Sequence, residues 1–81
     1  MHSLDSPNFL SPEKIVKFFD LEKGDHVADF GTGHGYFAIA LAKAVGAKGK
    51  VYAVDVQKSV LEIVLSFAAR EHLENIETLL A

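Results

Sequence analysis

Cysteine and tryptophan are absent from these 81 residues, and proline occurs only twice. Without a thiol there is neither a disulfide framework nor a thiolate metal site, so the fold holds by packing alone or gains area from a partner. Positive charge is scarce: eight Lys and Arg against eleven Asp and Glu leave a net charge of −3. The lysines are scattered, with no basic stripe to follow a phosphate backbone, which argues against nucleic acid binding by this segment. Long hydrophobic runs are missing as well. The longest uninterrupted apolar stretch, residues 36–42, falls far short of a membrane span. The N-terminus lacks the basic and apolar regions of a signal peptide, so a soluble, cytoplasmic protein is the expectation. His2, His26, His34 and His72 show no metal-ligand spacing, and no serine has an evident base or a nucleophile elbow.

What remains is the composition of one small globular domain, 49% hydrophobic with six Phe and two Tyr. A chain of this size buries only about 60% of its unfolded surface, so its stability is expected to be marginal. Residues 1–10, with the turn-forming Ser6-Pro7-Asn8, read as an N-terminal arm, and residues 11–81 as a single unit. Ser11-Pro12-Glu13 is a helix start, with Ser11 as cap and Pro12 where no amide bond is lost. Leu10 and Ile15 are spaced for a hydrophobic staple. Ile15, Phe18 and Phe19 are expected to form its apolar stripe, closed by Gly24. A short strand over 26–30 runs into Gly31-Thr32-Gly33-His34-Gly35. Phe37, Ala40, Leu41 and Ala44 then give helical spacing up to Gly46. A second strand, 51–54, ends at Asp55. Ser59 and Glu62 match a capping box, and Val60, Val64, Phe67 and Ala68 are expected on the core face of the helix that follows. Residues 76–80 form a third strand. Strands alternating with helices imply βαβ units and a parallel sheet.

The informative run is Asp29-Phe30-Gly31-Thr32-Gly33-His34-Gly35, at a strand-to-helix turn. Glycines there admit positive φ and let a ligand approach the backbone, although a tight turn needs glycine too. The free amides opening the next helix favour a negative group. Spacing narrows the ligand. The dinucleotide fingerprint has its third glycine three residues after the second, a place held here by Tyr36, with Gly35 one residue early. The phosphate loop of nucleotide hydrolases needs Gly-Lys-Ser/Thr, and no lysine follows. Asp55 ends the second strand 24 residues after Gly31, where a carboxylate can accept from both hydroxyls of a ribose or can simply be solvated. Val56 either offers an apolar surface to a base or belongs to the core.

Asp-x-Gly-x-Gly-x-Gly resembles motif I of the class I S-adenosylmethionine-dependent methyltransferases. The resemblance extends over nearly the whole chain, through residues 51–56 and the Glu74-Asn75-Ile76-Glu77 lead into the third strand. It implies a Rossmann-like α/β half-domain: a three-stranded parallel sheet of order 3-2-1 with three helices, binding S-adenosyl-L-methionine. Asp29 would repel a pyrophosphate and suits the ammonium of a methionine moiety. Carried over by position, Asp29 meets that amino group, Gly31, Thr32, Gly33 and Gly35 surround the methionine part, and Asp55 holds the ribose with Val56 beside the adenine. Tyr36 and Phe9 are candidates to stand near the cationic sulfonium, with ordinary packing the stronger reading of each. His34 departs from the small or hydroxyl residue common at its place and is expected to face solvent.

In the family the acceptor site is built after a fourth strand, which this sequence lacks. The 81 residues alone are therefore expected to be inactive toward any acceptor, and the acceptor is unnamed. Both crossovers should be right-handed and place their helices on one face of the sheet. A bare opposite face and a free first strand lead to the expectation of a homodimer or domain-swapped assembly. Two other readings stay open: an oligomerising structural half-domain without ligand affinity, and an NAD- or nucleotide-binding half-domain.

Overall fold

A computed structural model describes residues 11–81, where helices and strands alternate: α1 (Pro12–Val16), β1 (His26–Phe30), α2 (Tyr36–Val45), β2 (Lys50–Asp55), α3 (Lys58–Arg70) and β3 (Ile76–Leu80). The expected N-terminal arm, with Phe9 and the Leu10 half of the staple, lies outside the described residues. Ser11 caps α1 as its sequence implies: its backbone is extended (φ −64°, ψ 141°) and its Oγ accepts from the Lys14 amide at 3.3 Å. The helix is shorter than expected. Phe18 and Phe19 donate to the carbonyls three residues back, Ile15 and Val16, which tightens the last turn and ends the element there. Their side chains are consequently exposed rather than part of the Ile15 stripe, and Val16 takes the buried place.

In α2, Ala38, Ile39, Ala40, Leu41, Ala42 and Val45 are all buried, a wider apolar surface than the expected Phe37–Ala40–Leu41–Ala44 stripe. Its neighbours explain the width, since α1 packs against α2 on one side and the sheet on another. Phe37 faces outward and Ala44 is only half-buried. Gly46 ends the helix at φ 74°, with its amide bonded to the Ala42 carbonyl at 3.1 Å. In α3 the expected capping box is not formed. The N-cap is Gln57, without a side-chain bond, so Ser59 already lies inside the helix and cannot cap it. Its buried face is Leu61, Val64 and Ala68, while Val60 and Phe67 are half-buried.

The three strands form one parallel sheet in the order β1-β2-β3, the 3-2-1 order read from the other edge. Val27 pairs with Val51, Asp29 with Ala53, and Val51 with Ile76. These positions share one face, where Val27, Val51, Ala53 and Ile76 pack with Ala38, Leu41, Val45 and Val64 into a single core. Asn75 ties the far end of α2 to the start of β3, its amide nitrogen donating to the carbonyls of Ala42 at 3.0 Å and Gly46 at 2.8 Å.

Residues of the alternate set, among them Ala28, Phe30, Tyr52, Val54 and Leu79, point to the opposite face. No described helix covers it. Phe30 is 77% exposed and Leu79 45%, and between them Val54 is sheltered. At the other end of that face His26 lies 6.2 Å from the Tyr52 ring, and Lys50 pairs with Glu77 at 3.7 Å. Among the described residues no helix is long and apolar enough to cross a membrane.

The turn into β2 has no spare room. A Cβ on Gly49 would stand 2.6 Å from Val45 Cβ and 2.5 Å from the Asp25 carbonyl oxygen. Both neighbours are fixed, the first in the core and the second by a 3.0 Å bond from the Lys50 amide. Gly49→Ala is expected to destabilise the domain by about 1–3 kcal/mol through overpacking, read as a lower urea midpoint at unchanged slope. An unaltered midpoint would show that the turn yields more easily than its packing implies.

Candidate functional site

Parallel pairing brings the C-terminal ends of β1 and β2 side by side, with Phe30 level with Val54. Asp29 lies one residue before the end of β1, and Asp55 is the last residue of β2. The glycine turn that joins β1 to α2 is tied down at its base, because the amides of Gly31 and Thr32 both donate to the Val54 carbonyl, at 2.8 and 3.1 Å. The chain then turns through three left-handed positions, Gly31 (φ 67°), Gly33 (φ 58°) and Gly35 (φ 88°). For an L-residue this conformation costs roughly 1–2 kcal/mol, which accounts for glycine at each.

The three glycines differ in their surroundings. A Cβ at Gly31 would meet nothing within 4 Å, and one at Gly33 would meet only the Gly31 carbonyl at 3.9 Å. These two form the open side of the turn, where another molecule can lie against the backbone. Gly35 faces inward. A Cβ there would sit 3.0 Å from Cγ2 of the fully buried Val64, so this glycine lets α2 start in contact with α3. Sequence reasoning grouped all three as one ligand loop, and packing separates the third.

Both acids are held in place. Asp29 accepts at Oδ2 from the Thr32 hydroxyl at 2.9 Å, in a half-buried setting. Asp55 accepts at Oδ1 from the Gln57 amide at 3.0 Å and at Oδ2 from the Gly33 amide at 3.4 Å, so its carboxylate reaches from the end of β2 to the turn. Val56 is 74% exposed beyond it and is not core. Tyr36 stands edge-on to Phe67 with ring centres 5.6 Å apart, a packing contact to α3, and His34 lies exposed at 6.4 Å from Tyr36. A groove of about 690 Å³ runs between the start of α2 and α3 and is lined by His34, Tyr36, Ile63 and Phe67 among others. Neither Asp29 nor Asp55 lines it. The acids and the open glycines lie together, and Tyr36 belongs to the neighbouring surface.

Sequence reasoning missed the side-chain bond within Asp29-Phe30-Gly31-Thr32. A hydroxyl three residues after an acid across a turn was the available signal, but the same threonine also reads as a mere small residue among glycines.

The methyltransferase domain family matches residues 21–81, three-quarters of the chain. The 23S rRNA (uracil(1939)-C(5))-methyltransferase RlmD of Acinetobacter baylyi is 37% identical over 57 residues, 70% of this chain and 12% of that protein. The protein-L-isoaspartate O-methyltransferase of Ignicoccus hospitalis is 42% identical over 41 residues, 51% of this chain and 19% of that one. Among solved structures, an S-adenosylmethionine-dependent methyltransferase from Aquifex aeolicus superposes with a TM-score of 0.80 at 42% identity, covering 96% of this chain and 43% of its own. The chain thus spans under half the length of each of these relatives. Its parallel three-stranded sheet, its glycine turn and its two strand-end acids stand together with these matches, and the chain belongs to the class I S-adenosylmethionine-dependent methyltransferases.

Proposed function

We propose that this chain binds S-adenosylmethionine at the C-terminal ends of β1 and β2, as the donor-binding part of a methyltransferase. The observation that carries the reading is the Asp55 carboxylate, anchored at the end of β2 and facing the open turn of Gly31 and Gly33. A carboxylate oxygen has two lone pairs, so Asp55 can accept from vicinal ribose hydroxyls while keeping its backbone partners. Asp29 supplies the negative charge for an ammonium group, and the missing Cβ atoms at Gly31 and Gly33 leave room for the methionine chain against the backbone. Val56 presents an exposed apolar surface next to Asp55, suited to the adenine. Tyr36, engaged with Phe67, contributes the start of α2 rather than a polar contact. When bound, the cofactor supplies an electrophilic methyl group on a sulfonium.

The relatives add support. By their names they act on a uracil of 23S rRNA, on protein isoaspartate and on demethylmenaquinone, three unlike acceptors, while matching overlapping portions of one short chain. A stretch common to such different acceptors fits a role toward the shared donor. NAD or a nucleotide is the weaker reading, since Asp29 would oppose a pyrophosphate at the same turn.

Charge-assisted bonds to two hydroxyls contribute on the order of 1.5–3 kcal/mol. In titration calorimetry Asp55→Ala should therefore bind S-adenosylmethionine or S-adenosylhomocysteine tenfold or more weakly than the unaltered chain. Equal affinity would remove the ribose assignment, and displacement of the ligand by NAD would favour the dinucleotide reading.

We propose in addition that two copies associate through the bare face of the sheet. That face is apolar at one end, with Phe30, Val54 and Leu79 in a row across the three strands, and polar at the other, with His26 and the Lys50–Glu77 pair. A two-fold axis along β2 sets Phe30 of one copy over Leu79 of the other, twice, with Val54 on Val54, and brings the two Lys50 side chains, each paired with its own Glu77, opposite each other at the polar end. Light scattering at micromolar concentration is expected to give twice the monomer mass, reverting to one for Phe30→Lys. A folded monomer without the substitution would overturn this.

A further inference from the structure

Thr32 is one of two buried polar residues among those described, and all three of its polar groups are used. Its amide donates to the Val54 carbonyl at 3.1 Å, its carbonyl accepts from the Gly35 amide at 3.1 Å, and its hydroxyl donates to Asp29 Oδ2 at 2.9 Å. The backbone bonds fix where the side chain starts, and burial to 7% exposure leaves it little rotational freedom. Asp29 is therefore gripped by a donor that cannot move away. With Oδ2 held, the rotation of the carboxylate is restricted, and Oδ1, which has no hydrogen-bond donor among the described residues, keeps its lone pairs for another partner.

We infer that Thr32 is a positioning and specificity-determining residue: by orienting the Asp29 carboxylate it makes the site select a thioether or sulfonium nucleoside that carries an amino-acid ammonium group over one that lacks it. The inference rests on the donor-binding reading above and adds to it a discriminating device. The hydroxyl itself touches no ligand and acts through Asp29. Thr32→Val removes the hydroxyl at nearly constant volume and leaves both backbone bonds available. It frees the carboxylate to rotate and leaves its Oδ2 without a partner, so an ammonium must order the group on binding. A ligand with no ammonium gains nothing from that order and should not notice its loss.

Two probes separate these cases: S-adenosylhomocysteine, which has the amino-acid chain, and 5′-methylthioadenosine, which has the same ribose and adenine without it. Calorimetric titration of the full 81-residue chain is expected to show Thr32→Val binding S-adenosylhomocysteine about tenfold more weakly, a charge-assisted bond's worth. Its affinity for 5′-methylthioadenosine should change less than twofold. Thr32→Ser, which restores the hydroxyl, should recover the preference, and Thr32→Ala takes the place of the valine variant if that one fails to fold. An equal loss for both probes, or a serine variant that folds but has lost the preference, would show a purely structural threonine and overturn the inference. If the unaltered chain binds both probes and Thr32→Val leaves their ratio unchanged, the inference falls while the donor-binding reading stands. If the unaltered chain binds neither, both fall together.

Discussion

The carbonyl of Val54 accepts two amides, those of Gly31 and Thr32, and the arrangement of the site depends on that double acceptance. It extends the β1–β2 ladder past the last paired residues, so the glycine turn begins as a continuation of the sheet instead of as a free loop. Asp29 then precedes the tied point by two residues on β1, and Asp55 follows the same carbonyl by one on β2. Their relative position is therefore fixed by sheet register. A slip of one residue in the pairing would turn every side chain of a strand to the other face, removing Val27 from the core and carrying Asp29 away from the site with it. The core that enforces the register and the site that uses it share the same strands.

The helices contribute unequally. α2 is buried on most sides and starts where Gly35 lets it touch Val64, so the end of the turn is defined by packing against α3. At Gly31 and Gly33 the reverse holds, since space lies open beside the backbone and nothing in the described protein occupies it. The same residue type thus answers two demands within five positions: close approach of two helices, and access for another molecule. Asn75 acts at the opposite end of α2, giving a second bond to two carbonyls that already accept the Gly46 and Gly49 amides, and so ties β3 to the helix end.

Much of this was legible in the sequence, and the misreadings have specific causes. The bounds of β1 and β3 follow from short apolar runs flanked by turn residues, and the parallel order follows from the alternation of strands and helices. The acids and the glycine spacing pointed to the family before any geometry was available. Helix ends were less readable. Nothing in residues 17–19 signals the tightening that ends α1, because it is a matter of hydrogen-bond choice among residues all able to continue a helix. The Ser59–Glu62 pattern was real but irrelevant once α3 began two residues sooner, at Lys58 with Gln57 as its cap. A helix wrapped by neighbours, such as α2, shows a broader apolar surface than any single-stripe reading allows. The bond from Thr32 to Asp29 escaped because it depends on a turn geometry that spacing alone does not supply.

The hydrogen bonds of the two acids divide along the depth of the turn. That between Thr32 and Asp29, at 2.9 Å, is half-buried, while those from Gly33 and Gln57 to Asp55 lie exposed, the Gly33 bond lengthened to 3.4 Å. Water competes with exposed bonds and reduces their net worth, whereas a buried charge-assisted bond is costly to leave unmade. The turn is accordingly stiff at its base and yielding at its rim. A ligand entering over Gly31 and Gly33 meets an Asp29 already oriented, whose ordering it need not supply. At Asp55 it meets a carboxylate whose weak bond to Gly33 can be shared or released at little cost. For the donor-binding role proposed above, the first acid is thus a preset partner and the second an adjustable one. That asymmetry arises from where each bond sits relative to solvent, deeper at Thr32 than at Gly33 and Gln57, although both acids stand on the same face of the sheet.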